Sequence, residues 1–178
     1  FQDHFVMITG ASNCIGKACS HRFAQEGASI VCIDIDEESN NLLKDEIERS
    51  GRKAMAISCD VRDPKQVEEA VNQVMDKWER VDTLVCSAGV YTGAPLDQVD
   101  EKQWSNTIEI NLSGVFFSNQ FVAPIMKSQK AGSIINLSSM AGKTSWPASA
   151  EYSASKSGVI GLTRSVAMEL APYGVTVN

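Results

Sequence analysis

Six short apolar runs, separated by longer amphipathic stretches, constrain this chain more than any single motif does. FVMI at 5–8, ASIVCID at 28–34, KAMAIS at 53–58, DTLVCS at 82–87, SIINLS at 133–138 and GVTVN at 174–178 read as buried strands. The spacing predicts helices over 15–26, 37–50, 64–79, 100–127 and 152–171. Asp63-Pro64 pairs an N-cap with Pro at the first helical position, and Gly27 and Gly51 end two of the helices. The strands are apolar almost throughout, as expected where both faces of a sheet are covered. Strand, helix, strand repeated in this way predicts an α/β fold, a doubly wound parallel sheet of Rossmann-like form. At 178 residues the chain suits a single domain over 1–178, without internal repeat, low-complexity tract or linker. The last predicted strand reaches Asn178, where a sheet would keep an uncovered edge, so the C-terminal part of the domain is expected to be missing from this sequence.

Charge and cysteine usage narrow the partners. Sixteen basic against 22 acidic residues leave a net charge of −6, which argues against nucleic acid or an acidic membrane surface. No apolar run approaches the roughly 20 residues needed to span a bilayer, so no membrane partner is expected. The chain opens FQDHFVMITG, without a signal pattern and with almost no lead-in to the first strand. Cys14, Cys19, Cys32, Cys59 and Cys86 have no CxxC spacing, and neither His4 nor His21 has a second ligand candidate near it. No metal site is expected, and reduced thiols in a cytoplasmic compartment are the simpler reading.

The first strand runs into TGASNCIG, Thr9 to Gly16, and then a helix. In that context Gly10 permits a tight turn and Gly16 lets the helix pack closely on the strand. Backbone N–H groups at the helix start, around Ser12, Asn13 and Ile15, then face a pyrophosphate. Asp34 ends the second strand, where a carboxylate can accept hydrogen bonds from an adenosine ribose. Ile35 and Asp36 follow it instead of an arginine, so a 2′-phosphate would meet like charge, and NAD is favoured over NADP. YSASK puts Tyr152 and Lys156 four residues apart on one helical face. Upstream, INLSSMAG places Ser138 and Ser139 directly after the fifth strand, at the carboxyl edge where ligands of such sheets bind.

The glycine loop, the acidic residue after strand two, an NNAG-type turn, a mid-helix Asn, Ser and YxxxK together resemble the classical short-chain dehydrogenases/reductases, in order and in spacing. The resemblance implies hydride transfer between a nicotinamide and a secondary alcohol or ketone. Tyr152 would be the general acid/base, and Lys156 would favour its phenolate and hold the nicotinamide ribose. An unperturbed phenol titrates at about 10, too high for base work at neutral pH, which is why this chemistry needs the ammonium. Ser139 would hydrogen-bond the substrate oxygen, with Ser138 as its rival, and Asn111 would support a proton-relay water near Lys156. Asp60 and Val61 would meet the adenine, and Cys86, Ala88 and Gly89, standing where the family has NNAG, would border the cofactor.

Two positions depart from that pattern: Cys14 replaces the middle glycine of the loop, and CSAG replaces NNAG. Cys14, Cys59 and Cys86 all fall near the carboxyl edge of the predicted sheet. Thiol reagents are therefore expected to inhibit NAD binding and NAD to protect, unless these are buried, inert cysteines. The apolar faces of 100–127 and 152–171 include Trp104, Phe116 and Val122, and in the resembled family these helices build homodimer and homotetramer interfaces. Two alternatives stand beside the NAD enzyme: an NADPH-dependent 3-oxoacyl reductase, and a silent dinucleotide-binding scaffold. The stretch MAGKTSWPASA at 140–150 is expected to line part of a partly apolar substrate pocket.

Overall fold

A computed structural model describes residues 1–144 and 146–178. Its strands are β1 (Phe5–Thr9), β2 (Ser29–Asp34), β3 (Ala54–Ser58), β4 (Thr83–Cys86), β5 (Gly132–Asn136) and β6 (Val175–Val177). They form one parallel sheet in the order β3-β2-β1-β4-β5-β6. The α-helices between them are α1 (Cys14–Gln25), α2 (Glu37–Arg49), α3 (Pro64–Trp78), α4 (Glu101–Ile108), α5 (Gly114–Gln129) and α6 (Ala150–Leu170). Among the described residues no helix is long and apolar enough to cross a membrane.

Alternation along each strand sorts the side chains into two cores. Met7, Val31, Leu84 and Ile134 share one face, in register across β1, β2, β4 and β5. There they pack on Val67, Val71 and Val74 of α3, Val122 and Met126 of α5, and Val159 of α6. Val6, Ile8, Ile30, Cys32 and Val85 share the opposite face with Ala24 of α1 and with Leu43 and Ile47 of α2. Both faces being dry explains why the strands read as continuous apolar runs. The helix starts are fixed locally. Asp36, Asp63 and Asp100 each accept a backbone N–H of the first turn, from Ser39, Lys65 and Gln103. Gly27 and Gly51 have φ of +105° and +85°, the left-handed exit that ends α1 and α2.

Two boundaries differ from the sequence expectation, and both shape the site. The single helix expected over 100–127 is divided: Glu109–Ser113 forms a π turn between α4 and α5. Such a turn carries one extra residue and is common at functional positions. Here it presents Asn111, whose side-chain amide donates to the Val90 carbonyl and whose Oδ1 accepts the Val90 N–H. Helix α6 starts at Ala150 rather than 152, which puts both Glu151 and Tyr152 in its first turn.

From β1 the chain winds outward to β2 and β3, then crosses to β4 on the other side. Connections that leave in opposite directions open a crevice at the carboxyl ends of β1 and β4, the place where such sheets bind ligands.

Candidate active site

That crevice is a groove of about 510 Å³ running from Asp34 and Asp60 at one end to Tyr152 and Lys156 at the other. Its floor is the loop after β1. Gly10 has φ +64°, and a Cβ there would lie 2.7 Å from the Ala88 backbone. Gly16 is buried behind the loop, where a Cβ would lie 1.9 Å from the Gly10 carbonyl oxygen. The two glycines thus let β1, α1 and the end of β4 close on one another. Asn13, at the N-cap of α1, makes no side-chain cap among the described residues, and Asn13, Cys14 and Ile15 at this helix start line the groove. The Ser12 hydroxyl is buried and has no hydrogen-bond partner among the described residues, although Ser12 lines the groove. N–H groups and an unpaired hydroxyl at a helix start fit a pyrophosphate.

Asp34 binds the loop from the side: its carboxylate accepts the Ser12 N–H at 3.0 Å and the Asp36 N–H at 3.1 Å. At the same end, Arg62 closes on Asp60 through Nε at 2.9–3.0 Å from both oxygens, and its Nη1 donates to Asn106 of α4 at 3.0 Å. Those hydrogen bonds hold the Asp60 carboxyl below its ordinary range. Val61 packs where Gly114 leaves room, a Cβ there being 2.7 Å from Val61 Cγ2.

At the other end Lys156 is buried, and its ammonium donates to the Leu137 carbonyl at 2.9 Å and lies 5.8 Å from the centre of the Tyr152 ring. Burial lowers its affinity for the proton below that of an ordinary lysine. Tyr152 is half-buried and meets Tyr91 edge-on, ring centres 5.0 Å apart. A Cβ on Gly89 would lie 3.3 Å from Asn111 Oδ1 and 3.6 Å from Lys156 Nζ, so a side chain at Gly89 would crowd both polar groups.

Of the residues singled out by sequence, Gly10, Ser12, Asn13, Ile15, Asp34, Asp60, Val61, Ala88, Gly89, Tyr152 and Lys156 line this groove. Gly16 and Asn111 shape it from behind, both fully enclosed. Cys86 does not reach the wall. Its thiol is buried beside the Asn119 amide, 3.5 Å away, and burial pushes it up to about 12. The tie between β4 and the glycine loop is made instead by Thr9, whose Oγ1 accepts the Ala88 N–H and whose carbonyl accepts the Ser87 N–H. Of the two serines, Ser138 lines the groove, but its hydroxyl is already donated to the Lys156 carbonyl at 2.8 Å. Ser139 sits off the groove wall, where its Oγ accepts the Ala141 N–H at 3.2 Å and, among the described residues, its own proton has no acceptor. Arg62, Tyr91 and Asn106 line the groove without having been anticipated. An arginine inside DVRD and a tyrosine two residues past CSAG were the available signals. Cys59 also lines it, but burial pushes its thiol up to about 12, which leaves Cys14 as the exposed thiol at the loop.

Fold and groove together define a dinucleotide-binding oxidoreductase of the α/β type. The chain belongs to the short chain dehydrogenase family, whose model matches residues 4–178. It is 42% identical over 172 residues to the 3-oxoacyl-(acyl-carrier-protein) reductase FabG of Thermotoga maritima, covering 97% of this chain and 70% of that protein. It is 36% identical over 180 residues to a hydroxy(phenyl)methylsuccinyl-CoA dehydrogenase subunit of Thauera aromatica, covering 99% of this chain and 71% of the other. Among solved structures, an NAD+-bound xylitol dehydrogenase superposes with a TM-score of 0.97 at 32% identity, over 100% of this chain and 69% of that one.

Proposed function

We propose that this protein moves a hydride between NAD and a secondary alcohol or ketone. One observation carries the reading: Tyr152 and Lys156, on a single face of α6, open into the same groove as the glycine loop and Asp34. When bound, the nicotinamide supplies the hydride acceptor or donor. Tyr152 exchanges the proton with the substrate oxygen. Lys156 supports the phenolate by Coulomb attraction across the ring, in a buried setting where such an attraction is poorly screened. Its Leu137 hydrogen bond fixes the ammonium in place. Ser139, whose proton has no acceptor among the described residues, orients the substrate oxygen, and Asn111 borders the path by which Lys156 recovers its proton. At the far end Ser12 and the α1 N–H groups take the pyrophosphate. Asp60 and Val61 take the adenine.

Asp34 selects the cofactor. Its carboxylate lies where it would accept hydrogen bonds from an adenosine ribose, and a 2′-phosphate there would meet like charge. The second reading, a 3-oxoacyl reductase on NADPH, is favoured by the name of the Thermotoga relative. Five free cysteines suit a reducing, cytoplasmic compartment. Trp104, Phe116 and Met168, exposed at 45%, 44% and 81% on α4, α5 and α6, suit an interface between copies, in a homodimer or homotetramer.

The test is a panel of secondary alcohols, ketones and 3-oxoacyl thioesters, offered to the full-length protein with each cofactor and followed at the nicotinamide absorbance band. Turnover with NAD and alcohols supports the first reading; turnover confined to NADPH and 3-oxoacyl thioesters supports the second. Tyr152→Phe is expected to reduce turnover by at least about 10²-fold, the scale of a lost general acid/base, with cofactor affinity retained. Undiminished turnover would overturn the mechanism, and NAD binding without turnover on any substrate would indicate a scaffold.

A further inference from the structure

Glu151 is a charged side chain that the proposed chemistry does not use. It is fully buried at the start of α6, next to Tyr152. Its Oε2 has no hydrogen-bond partner among the described residues. Leaving a buried carboxylate oxygen unpaired is unfavourable. Among the described residues its carboxylate keeps one hydrogen bond: Oε1 accepts from Gln103 Nε2 of α4 at 2.9 Å. The same Gln103 nitrogen donates to the Thr92 carbonyl, also at 2.9 Å. A glutamine amide can flip, and a carboxylate can only accept, so Glu151 fixes which end of Gln103 faces the loop.

The loop it faces carries Tyr91. On one side of that residue, Val90 is held through both its N–H and its carbonyl by Asn111. On the other side, Thr92 is held by Gln103. The Tyr91 ring lies between Tyr152, with ring centres 5.0 Å apart at 71°, and Gly93. A Cβ on Gly93 would stand 2.5 Å from the Tyr91 hydroxyl and 2.8 Å from the Ala148 carbonyl, so the ring end fits only against a glycine. The ring is nonetheless 57% exposed and lines the groove at the end where the substrate oxygen would meet Tyr152.

We infer that Glu151 is a positioning residue for the substrate end of the groove: through Gln103 and Thr92 it holds the Tyr91 ring as a fixed wall beside the Tyr152 phenol. This rests on the proposed role of Tyr152. With the clamp made, substrate meets an ordered aromatic edge. With the clamp released, the loop must be ordered by substrate itself, which weakens binding. The glycine loop and Asp34, built from β1, β2 and α1, make no hydrogen bond to Glu151, Gln103 or Thr92 among the described residues, so cofactor affinity is expected to hold.

The experiment uses the full-length protein with Glu151→Met, which removes the acceptor without leaving a void, and Glu151→Gln, which keeps Oε1. Amide hydrogen exchange over residues 90–95 is expected to speed up by about tenfold in Glu151→Met, the factor for one lost hydrogen bond, and to stay near wild type in Glu151→Gln. The substrate KM should rise by a similar factor of about ten, with kcat changed less and the NAD Kd within about twofold. Gln103→Leu, on the partly exposed face of α4, should reproduce the loss if Glu151→Met folds poorly. Unchanged exchange at 90–95 in Glu151→Met and in Gln103→Leu would overturn the inference, as would equal effects of Glu151→Met and Glu151→Gln. A role confined to the start of α6 would instead lower Tm and leave the exchange of the loop alone. Exchange is read without turnover, so it decides the clamp even where hydride transfer fails, and Tyr152→Phe decides the reaction separately.

Discussion

Cys14 is the residue at which the cofactor loop departs furthest from what its backbone prefers. It opens α1 with φ +44°, in the left-handed region, and its side chain is exposed. For an L-residue with a Cβ that region costs about 1–2 kcal/mol, and glycine removes the cost. Glycine also gives the unfolded chain more freedom, a loss of about 0.5–1 kcal/mol. Cys14→Gly is therefore expected to stabilise the fold by about 0.5–1 kcal/mol, which for a domain of this size raises Tm by about 1–4 °C. Removing the Cβ also clears the approach to the first-turn N–H groups of α1, and NAD affinity should improve by a few fold. Cys14→Ala keeps the Cβ and the strained φ and loses only sulfur, so it should stay within about 0.5 kcal/mol of wild type. Calorimetry gives the stabilities, and quenching of intrinsic tryptophan fluorescence by NADH gives the affinities. If Cys14→Gly melts lower than Cys14→Ala, the left-handed strain is not what governs this position. The same geometry narrows the thiol chemistry. Alkylation should fall on Cys14 and be slowed by NAD, because Cys59 and Cys86 are buried with their thiols pushed up to about 12.

Further outcomes follow from other parts of the groove. Asp34→Ala should weaken NAD binding by about tenfold, the value of a charge-assisted hydrogen bond, and narrow the NAD-to-NADP preference, measured as the ratio of Kd values. Gly16→Ala forces a Cβ to within 1.9 Å of the Gly10 carbonyl oxygen, so it should destabilise by about 3 kcal/mol or more, read from urea midpoints. Lys156 has its proton affinity lowered by burial, so between its folded pKa and the ordinary 10.5 the unfolded chain binds the extra proton. Its contribution to stability therefore rises with pH across that window. The urea midpoint of Lys156→Gln should lack that rise, and a rise of equal size would refute the assignment.

The sequence by itself determined the architecture. Six apolar runs at regular spacing leave a parallel sheet covered on both faces as the arrangement that buries them all, and the aspartates before α2, α3 and α4 set where those helices start. It also determined most of the groove, because a loop at one strand end and a pair on one helix face are local patterns, legible at spacings of four to seven residues. What it left undecided depends on contacts between distant segments. At the π turn Glu109–Ser113 the Asn111 side chain satisfies the Val90 backbone 21 residues away, a contact that no helical periodicity encodes. The Ser138 hydroxyl is already donated to the Lys156 carbonyl, 18 residues away, which no local pattern shows. Cys86 stands off the groove wall, its thiol buried beside an amide from α5. Arg62 and Tyr91 entered the wall through partners on α4 and α6, Asn106 and Tyr152. Local pattern fixes which face a residue is on, whereas hydrogen bonds across tens of residues fix which of its atoms are already paired, and that is what tertiary structure decided.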